Sequence, residues 1–282
     1  MSKPVSLALV AALLAAVSLF SPGTVSAADI FPDKNLESVI RKILRKKTDK
    51  DEITEADLKN VFILKARGKK IKDLTGLEKC DKLALVNLAG NEVSDLKPLS
   101  GLQNIQSLDL SKNKISDISP LAKLVKLQYL QLEENQIEKV DAVKDLKKLS
   151  ALYLSENKIK SVEPLAGLEK LSSLYLKGNQ LSDIKPLQDL KWLSSLDLRG
   201  NAVTQVGPLA KMTELRYTML QGNKISDIST LVAMAKKDVE GDKRFAPYWH
   251  LYLKGNPLNE AAQKEHLPAL KEMNVRINMA TD

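Results

Sequence analysis

The chain has 282 residues, 44% hydrophobic and 28% charged, with a formal net charge of +8. That balance excludes a disordered chain, and aromatic residues at 4% exclude a core built on large rings. Cys80 is the only cysteine, which excludes a disulfide within the chain and any cysteine-based metal site.

At the N-terminus Lys3 precedes an apolar run from Leu7 to Phe20. The breaker Ser21-Pro22-Gly23 and the small-residue pattern Val25-Ser26-Ala27 follow. The run is short for a bilayer span, so residues 1–27 read as a secretory signal peptide. The mature chain is expected to begin near Ala28 and to be exported, periplasmic or extracellular, without a transmembrane anchor. Without Lys3, 42 basic residues stand against 35 acidic ones, a net charge of +7. The lysines recur in every segment, which suits a solvated surface and not a nucleic-acid partner.

Residues 28–60 read as a helical cap. Leu36, Val39, Ile40, Ile43 and Leu44 fall on one face at helical spacing. Asp33 is placed to cap the first helix, and Thr54 with Asp57 gives a capping-box-like start to a second. The basic run Arg45-Lys46-Lys47 suits a solvated helix end.

Residues 61–258 repeat. Asn91, Asn113, Asn135, Asn157, Asn179, Asn201 and Asn223 are 22 residues apart, and Asn256 follows after 33. Three residues before each lies an apolar residue, Leu88 through Leu253, and two after lies another, Val93 through Leu258. A further row, Val86 through Leu196, stands five before. This is the L-x-x-L-x-L-x-x-N pattern of leucine-rich repeats. Leu174 and Leu176, two apart, point to one side of a short strand, and successive strands stack in parallel. Asn179 ends the strand where its amide can satisfy backbone groups of its own coil and the adjacent one. Proline at 98, 120, 164, 186 and 208 suits an outer 3₁₀ turn. The expected fold is an α/β leucine-rich-repeat solenoid: a slim curved horseshoe with a parallel concave sheet, 3₁₀ turns on the convex side and the helical N-terminal cap. Lys69 occupies the asparagine position of a degenerate first coil, and Cys80 sits where later coils carry a buried leucine.

The segments "IFPDKNLESVIRKIL" and "ITEADLKNVFILKARGKKIKDLTGLE", followed by the 22-residue coils, resemble the internalins and related exported bacterial leucine-rich-repeat proteins. Internalins of invasive bacteria bind host surface proteins through the concave face. The sequence shows neither the sorting signal of the cell-wall-attached members nor an immunoglobulin-like domain after the repeats. The resemblance therefore implies a binding scaffold and not invasion.

Two departures break the frame. Thr218 stands in a strand row of Leu and Val, where a hydrogen bond to backbone would make it tolerable. Between Met234 and Tyr248 the chain carries 11 extra residues, an insert at about 235–247. It reads as a longer convex turn that touches nothing or as a functional loop beside the last strand. Residues 259–282 read as a closing cap. Asn259 caps a short helix running to about Lys271, Val275 and Ile277 give a final strand, and His266 lies at the surface.

Residues between the core leucines point to the concave face. Five of the six tyrosines fall there: Tyr129, Tyr153, Tyr175, Tyr217 and Tyr252. The first three lie on successive strands and should form one patch, with Glu133, Glu134 and Glu156 beside it. Lys177 and Arg199 are expected to begin a basic stretch, with Asp197 between them in the same face. His250 joins Tyr217, Tyr252 and Met219 in a second group. An aromatic centre with a charged rim suits a protein partner. Tyrosines beside carboxylates also suit sugars, so envelope or extracellular carbohydrate is the alternative ligand. No phosphate loop, triad or metal-ligand spacing occurs, and an open sheet lacks a dry cleft. The expectation is a monomeric, non-catalytic binder with no cofactor and no metal.

Overall fold

The computed structural model describes residues 30–48 and 50–279; the signal peptide expected over residues 1–27 lies outside them. Helix α1 (Lys34–Ile43) and the short α2 (Glu55–Leu58) lead into ten three-residue strands. These are β1 (Ile63–Lys65), β2 (Leu85–Asn87), β3 (Ser107–Asp109), β4 (Tyr129–Gln131), β5 (Ala151–Tyr153), β6 (Ser173–Tyr175), β7 (Ser195–Asp197), β8 (Tyr217–Met219), β9 (His250–Tyr252) and β10 (Arg276–Asn278). Each pairs in parallel with the next, so the order in the sheet is the order in the chain. The register follows the repeat: Leu152 faces Leu174, and Leu174 faces Leu196. Together with the outer 3₁₀ segments this is the leucine-rich-repeat solenoid.

Side chains at the middle of each strand enter the core and are fully buried, from Val86 to Leu251. Burying a leucine contributes roughly 1.5–3 kcal/mol, and the 22-residue period lays these leucines in continuous rows. The outer prolines stand at the first turns of 3₁₀ segments, as in Lys97–Leu99, Glu163–Leu165 and Lys185–Leu187. There their missing N–H leaves no bond unmade.

The asparagines join one coil to the next. Asn179 Nδ2 donates to the carbonyls of Leu176 and Lys177 in its own coil and of Leu154 in the coil before. Its Oδ1 accepts from the Ile159 N–H at 2.9 Å. The same pattern recurs from Asn91 to Asn256. Lys69, in the first coil, has no carboxamide to offer, and Asn91 Oδ1 accepts both its N–H and that of Ile71.

At the N-terminal end Asp33 caps α1 through the N–H groups of Asn35 and Leu36. Its other oxygen accepts from Lys72 and Asp73, which fastens the cap to the first coil. Gly76, at φ 99°, lies so close to Ile30 and Phe31 that a Cβ would stand 2.4 Å from the Ile30 carbonyl oxygen. Thr54 and Asp57 form the reciprocal capping box at α2. Cys80 is fully buried, and burial with nearby Glu78 and Asp81 pushes its thiol up to about 12.

The frame-breaking region differs from expectation in two ways. Thr218 does not bond to backbone: the Trp249 indole donates to its hydroxyl at 2.9 Å, both side chains being fully buried. The extra residues neither float free nor line the open face of the sheet. They extend an outer helix, α3 (Ser229–Glu240), and a return turn in which the buried Asp238 carboxylate accepts from the N–H groups of Arg244, Phe245 and Ala246. That turn sets Phe245 in the core, 5.3 Å from the Trp249 ring. His266, in the closing cap, is only partly at the surface, its side chain 20% exposed. It sits in a π turn (Ala262–His266) before α4 (Leu267–Glu272), with an enclosed Nδ1 3.7 Å from Asp227. Asn259 caps this closing helix through Ala262 N–H, and β10 extends the sheet.

Two outcomes test this. Burial alone would raise Asp33, but the backbone donors Lys72, Leu36, Asp73 and Asn35 outweigh it and hold the carboxyl below its ordinary value of 3.8. A depressed acid stabilises the fold fully above the ordinary value, and that contribution disappears as pH falls through the lower, folded-state value. Hydrogen exchange should therefore show α1 amides losing protection at low pH before those of the central coils, and Asp33→Asn should erase this acid step. In urea unfolding, Trp249→Phe should cost about 1–3 kcal/mol by leaving the Thr218 hydroxyl unpaired. Adding Thr218→Val should recover part of that cost; strictly additive losses would contradict the pairing.

Candidate ligand-binding face

The sheet positions the candidate residues through its register. Tyr153 and Tyr175 are direct neighbours on β5 and β6 and stack at 4.8 Å between ring centroids, 23° from parallel. Tyr129 lies in the adjacent row and faces Ala151 across the strands. That small neighbour leaves room for its ring to reach Tyr153, 5.3 Å away and tilted by 47°. The three rings form one ladder. Tyr129 donates to Gln131 Oε1 at 2.7 Å, and Gln131 Nε2 donates to Glu133 at 2.8 Å. Burial, then Tyr153, Asp109 and Glu133, push the Tyr129 phenol up to about 12. Burial, Tyr175 and Glu133 raise Tyr153 likewise. Both therefore stay protonated and able to donate at neutral pH.

Beside the ladder lies an open cavity of about 450 Å³, lined by Tyr153, Tyr175, Glu133, Glu156, Lys177 and Arg199 among others. Part of its charge is paired between coils. Glu134 meets Lys112 at 3.0 Å and Glu156 meets Lys177 at 3.2 Å. Asp197 does not present itself to a ligand: it is 1% exposed, and the Arg199 guanidinium closes over it at 2.8–3.1 Å. The basic stretch expected to begin at Lys177 and Arg199 is therefore a pair of ion pairs.

A second group lies beyond β7. Tyr217 stacks on His250 at 4.9 Å, 25° from parallel, and Met219 faces Tyr252. Arg276, from the closing strand, reaches His250 Nε2 at 3.2 Å. Tyr217, His250 and Tyr252 are thus brought together, but β7 separates them from the tyrosine ladder. Tyr248, the sixth tyrosine, lies outside the open face, with the Arg216 guanidinium 5.0 Å above its ring.

Gln131, Ser155 and Arg276 join these groups without a signal in the repeat. The first two look like ordinary polar variation, and Arg276 lies past the last periodic asparagine. Backbone strain was also hidden. The residue before each asparagine is left-handed in every coil from Asn91 on, and several coils supply glycine there. Three successive coils instead place Lys112, Glu134 and Glu156 at φ 53–57°, a conformation that costs an L-residue roughly 1–2 kcal/mol. The Glu156 carboxylate lies over Gly178, where a Cβ would stand 2.5 Å from Oε2. Glu134 and Glu156 border the tyrosine ladder.

Among the described residues no cluster of His, Cys, Asp and Glu could hold a metal ion, and no helix is long and apolar enough to cross a membrane.

Comparison with known proteins agrees with this geometry. The family profile of leucine-rich repeats (two copies) matches residues 103–148 and 147–190. Internalin C2 from Listeria monocytogenes is 32% identical, with a TM-score of 0.68 over 74% of this chain and 92% of that one. A Leptospira interrogans leucine-rich-repeat protein shares the fold at 23% identity, with a TM-score of 0.70 over 79% of this chain and 55% of that one. The leucine-rich-repeat ectodomain of an Arabidopsis thaliana receptor kinase, solved in complex with Casparian strip integrity factor 2, shares it at 23% identity. Its TM-score is 0.58 over 67% of this chain and 23% of that one. No functionally curated protein matches the sequence. The fold is that of the leucine-rich-repeat proteins, a scaffold for protein–protein interaction and typically non-catalytic. Within that class the chain belongs to the internalin-like bacterial proteins.

The strain at Glu134 and Glu156 has a measurable consequence. Glu134→Gly and Glu156→Gly should leave urea stability unchanged or raise it by up to about 1 kcal/mol, because glycine adopts this conformation freely. Alanine at the same positions should bring no gain.

Proposed function

We propose that this protein is an exported, monomeric, non-catalytic scaffold that captures a protein partner on the concave face of its sheet. The division behind this reading is a signal peptide over 1–27, a cap over 28–60, coils over 61–258 and a closing cap over 259–282. The observation that carries the proposal is the ladder of Tyr129, Tyr153 and Tyr175 beside an open cavity. Strand propensity explains tyrosine in a sheet but not three rings gathered on its solvent side. Rigid aromatic side chains with a polar tip are the common anchors of interfaces. Glu133, Glu156, Lys177 and Arg199 form the polar rim, Asp197 holding Arg199 in place. Tyr217, His250 and Tyr252 form a second contact region along the same face. Burial of the core leucines and of Cys80 leaves the open-face positions free to vary from coil to coil.

Affinity capture from envelope fractions and culture medium tests the reading. The mature protein should recover a protein that the Tyr153→Ala/Tyr175→Ala variant does not, with losses on the order of 2 kcal/mol or more per anchor. A Tyr248→Ala control should capture normally. Undiminished capture by the double variant would overturn the assigned face. Tight binding of purified cell-wall glycan with no protein recovered would point to carbohydrate as the ligand.

A further inference from the structure

The lysines look scattered in the sequence, but the solenoid aligns a set of them. Lys126, Lys148 and Lys170 occupy one position, nine residues before the asparagine, in three successive coils. Trp192 holds that position in the next coil and, among the described residues, is the most exposed of the large apolar side chains at 64%. The row runs along the edge where the chain enters the strands, outside the open face that carries the tyrosines. Exposed Lys147 and Lys191 stand one residue before it in their coils.

Elsewhere this chain pairs a lysine with a carboxylate one coil away. Lys114 meets Glu92 at 2.8 Å, Lys112 meets Glu134 at 3.0 Å and Lys211 meets Asp189 at 3.1 Å. The edge row does the reverse and sets lysine beside lysine. Among the described residues, none of Lys126, Lys148 and Lys170 has a carboxylate ion-pair partner. Lys126 Nζ reaches only the Asn104 carboxamide at 2.7 Å, and Lys147 only the Gly167 carbonyl at 3.2 Å. Like charges repeated at coil spacing, about 4.8 Å at the sheet, repel one another, and a partner that supplies anions relieves the repulsion. The row is also one residue wide, with exposed Asp145 and Glu169 beside it. That shape suits a chain of anions more than a flat anionic bilayer. The flanking Ser150, Ser172 and Ser194 each bond the carbonyl of the previous coil at 3.0–3.1 Å, which keeps the shelf beside the lysines low and open.

We infer that this edge is a second binding surface, independent of the concave face, for a linear anionic polysaccharide. The anionic groups of the polymer lie along Lys126, Lys148 and Lys170, and a sugar ring packs on the exposed Trp192 indole. The ligand chemistry is a glycan backbone bearing sulfate, phosphate or carboxylate groups at regular intervals.

Dextran sulfate oligosaccharides of defined length serve as the probe in titration calorimetry with the mature protein, and neutral dextran of the same length is the control. Binding should be selective for the sulfated chain and weaken steeply with salt. The Lys126→Gln/Lys148→Gln/Lys170→Gln variant should bind on the order of tenfold more weakly, and Trp192→Ala should also lose affinity. A charge-matched variant of exposed outer-face lysines, Lys97→Gln/Lys160→Gln/Lys185→Gln, and the Tyr153→Ala variant should bind like the parent. Thermal melting confirms that the substituted surfaces leave the fold intact. Equal losses in the two triple-lysine variants would overturn the assignment, because net charge alone would then explain binding. So would tighter binding of phosphatidylglycerol vesicles or double-stranded DNA than of the sulfated chain.

Discussion

Each coil of this solenoid turns through a buried corner, and one carboxamide makes that corner possible. Buried backbone groups without partners cost about 1–3 kcal/mol each, and a strand only three residues long cannot satisfy the turn that follows it. Asn179 does so for two coils at once, donating to Leu154, Leu176 and Lys177 and accepting from Ile159. Because the bond reaches back into the previous coil, it fixes the spacing between coils as well as the corner itself. The 22-residue period, the registered leucine rows and the alignment of every surface position all depend on it.

Fixed spacing turns a position in the repeat into a column on the surface. Tyrosine at one position in adjacent coils becomes a stacked pair, as with Tyr153 and Tyr175. Lysine at another becomes the edge row of Lys126, Lys148 and Lys170. Acid and base in successive coils become ion pairs, as with Lys177 and Glu156. The frame tolerates such variation because the core is carried by other residues of the coil. It tolerates strain too: the left-handed residue before each asparagine can be charged, as at Glu134 and Glu156, where the stacked neighbours hold the corner closed.

A repeat solves its interior and leaves its ends exposed, so the terminal elements carry the irregular chemistry. Asp33 caps a helix and fastens it to the first coil through four backbone donors. Near the other end the outer turn lengthens into α3, and Asp238 gathers the return turn so that Phe245 and Trp249 enter the core. Thr218, an apparent flaw in the leucine row, is the acceptor that lets the large indole enter. The two departures from the repeat, read separately in the sequence, are one packing solution.

The sequence by itself determined the solenoid, the coil boundaries, the helix caps at Asp33 and Thr54, the burial of Cys80 and which side of each strand faces solvent. Those features follow from period, alternation and local hydrogen bonding, which neighbouring residues in the chain specify. Only the tertiary structure decided which side chains touch. Tyr129 reaches Tyr153 because Ala151 leaves the space, Asp197 disappears beneath Arg199, Arg276 arrives at His250 from outside the repeat, and Trp249 finds Thr218 across 31 residues. The physical reason is that periodicity specifies rows, whereas contacts within and between rows depend on side-chain size, reach and charge across neighbouring coils.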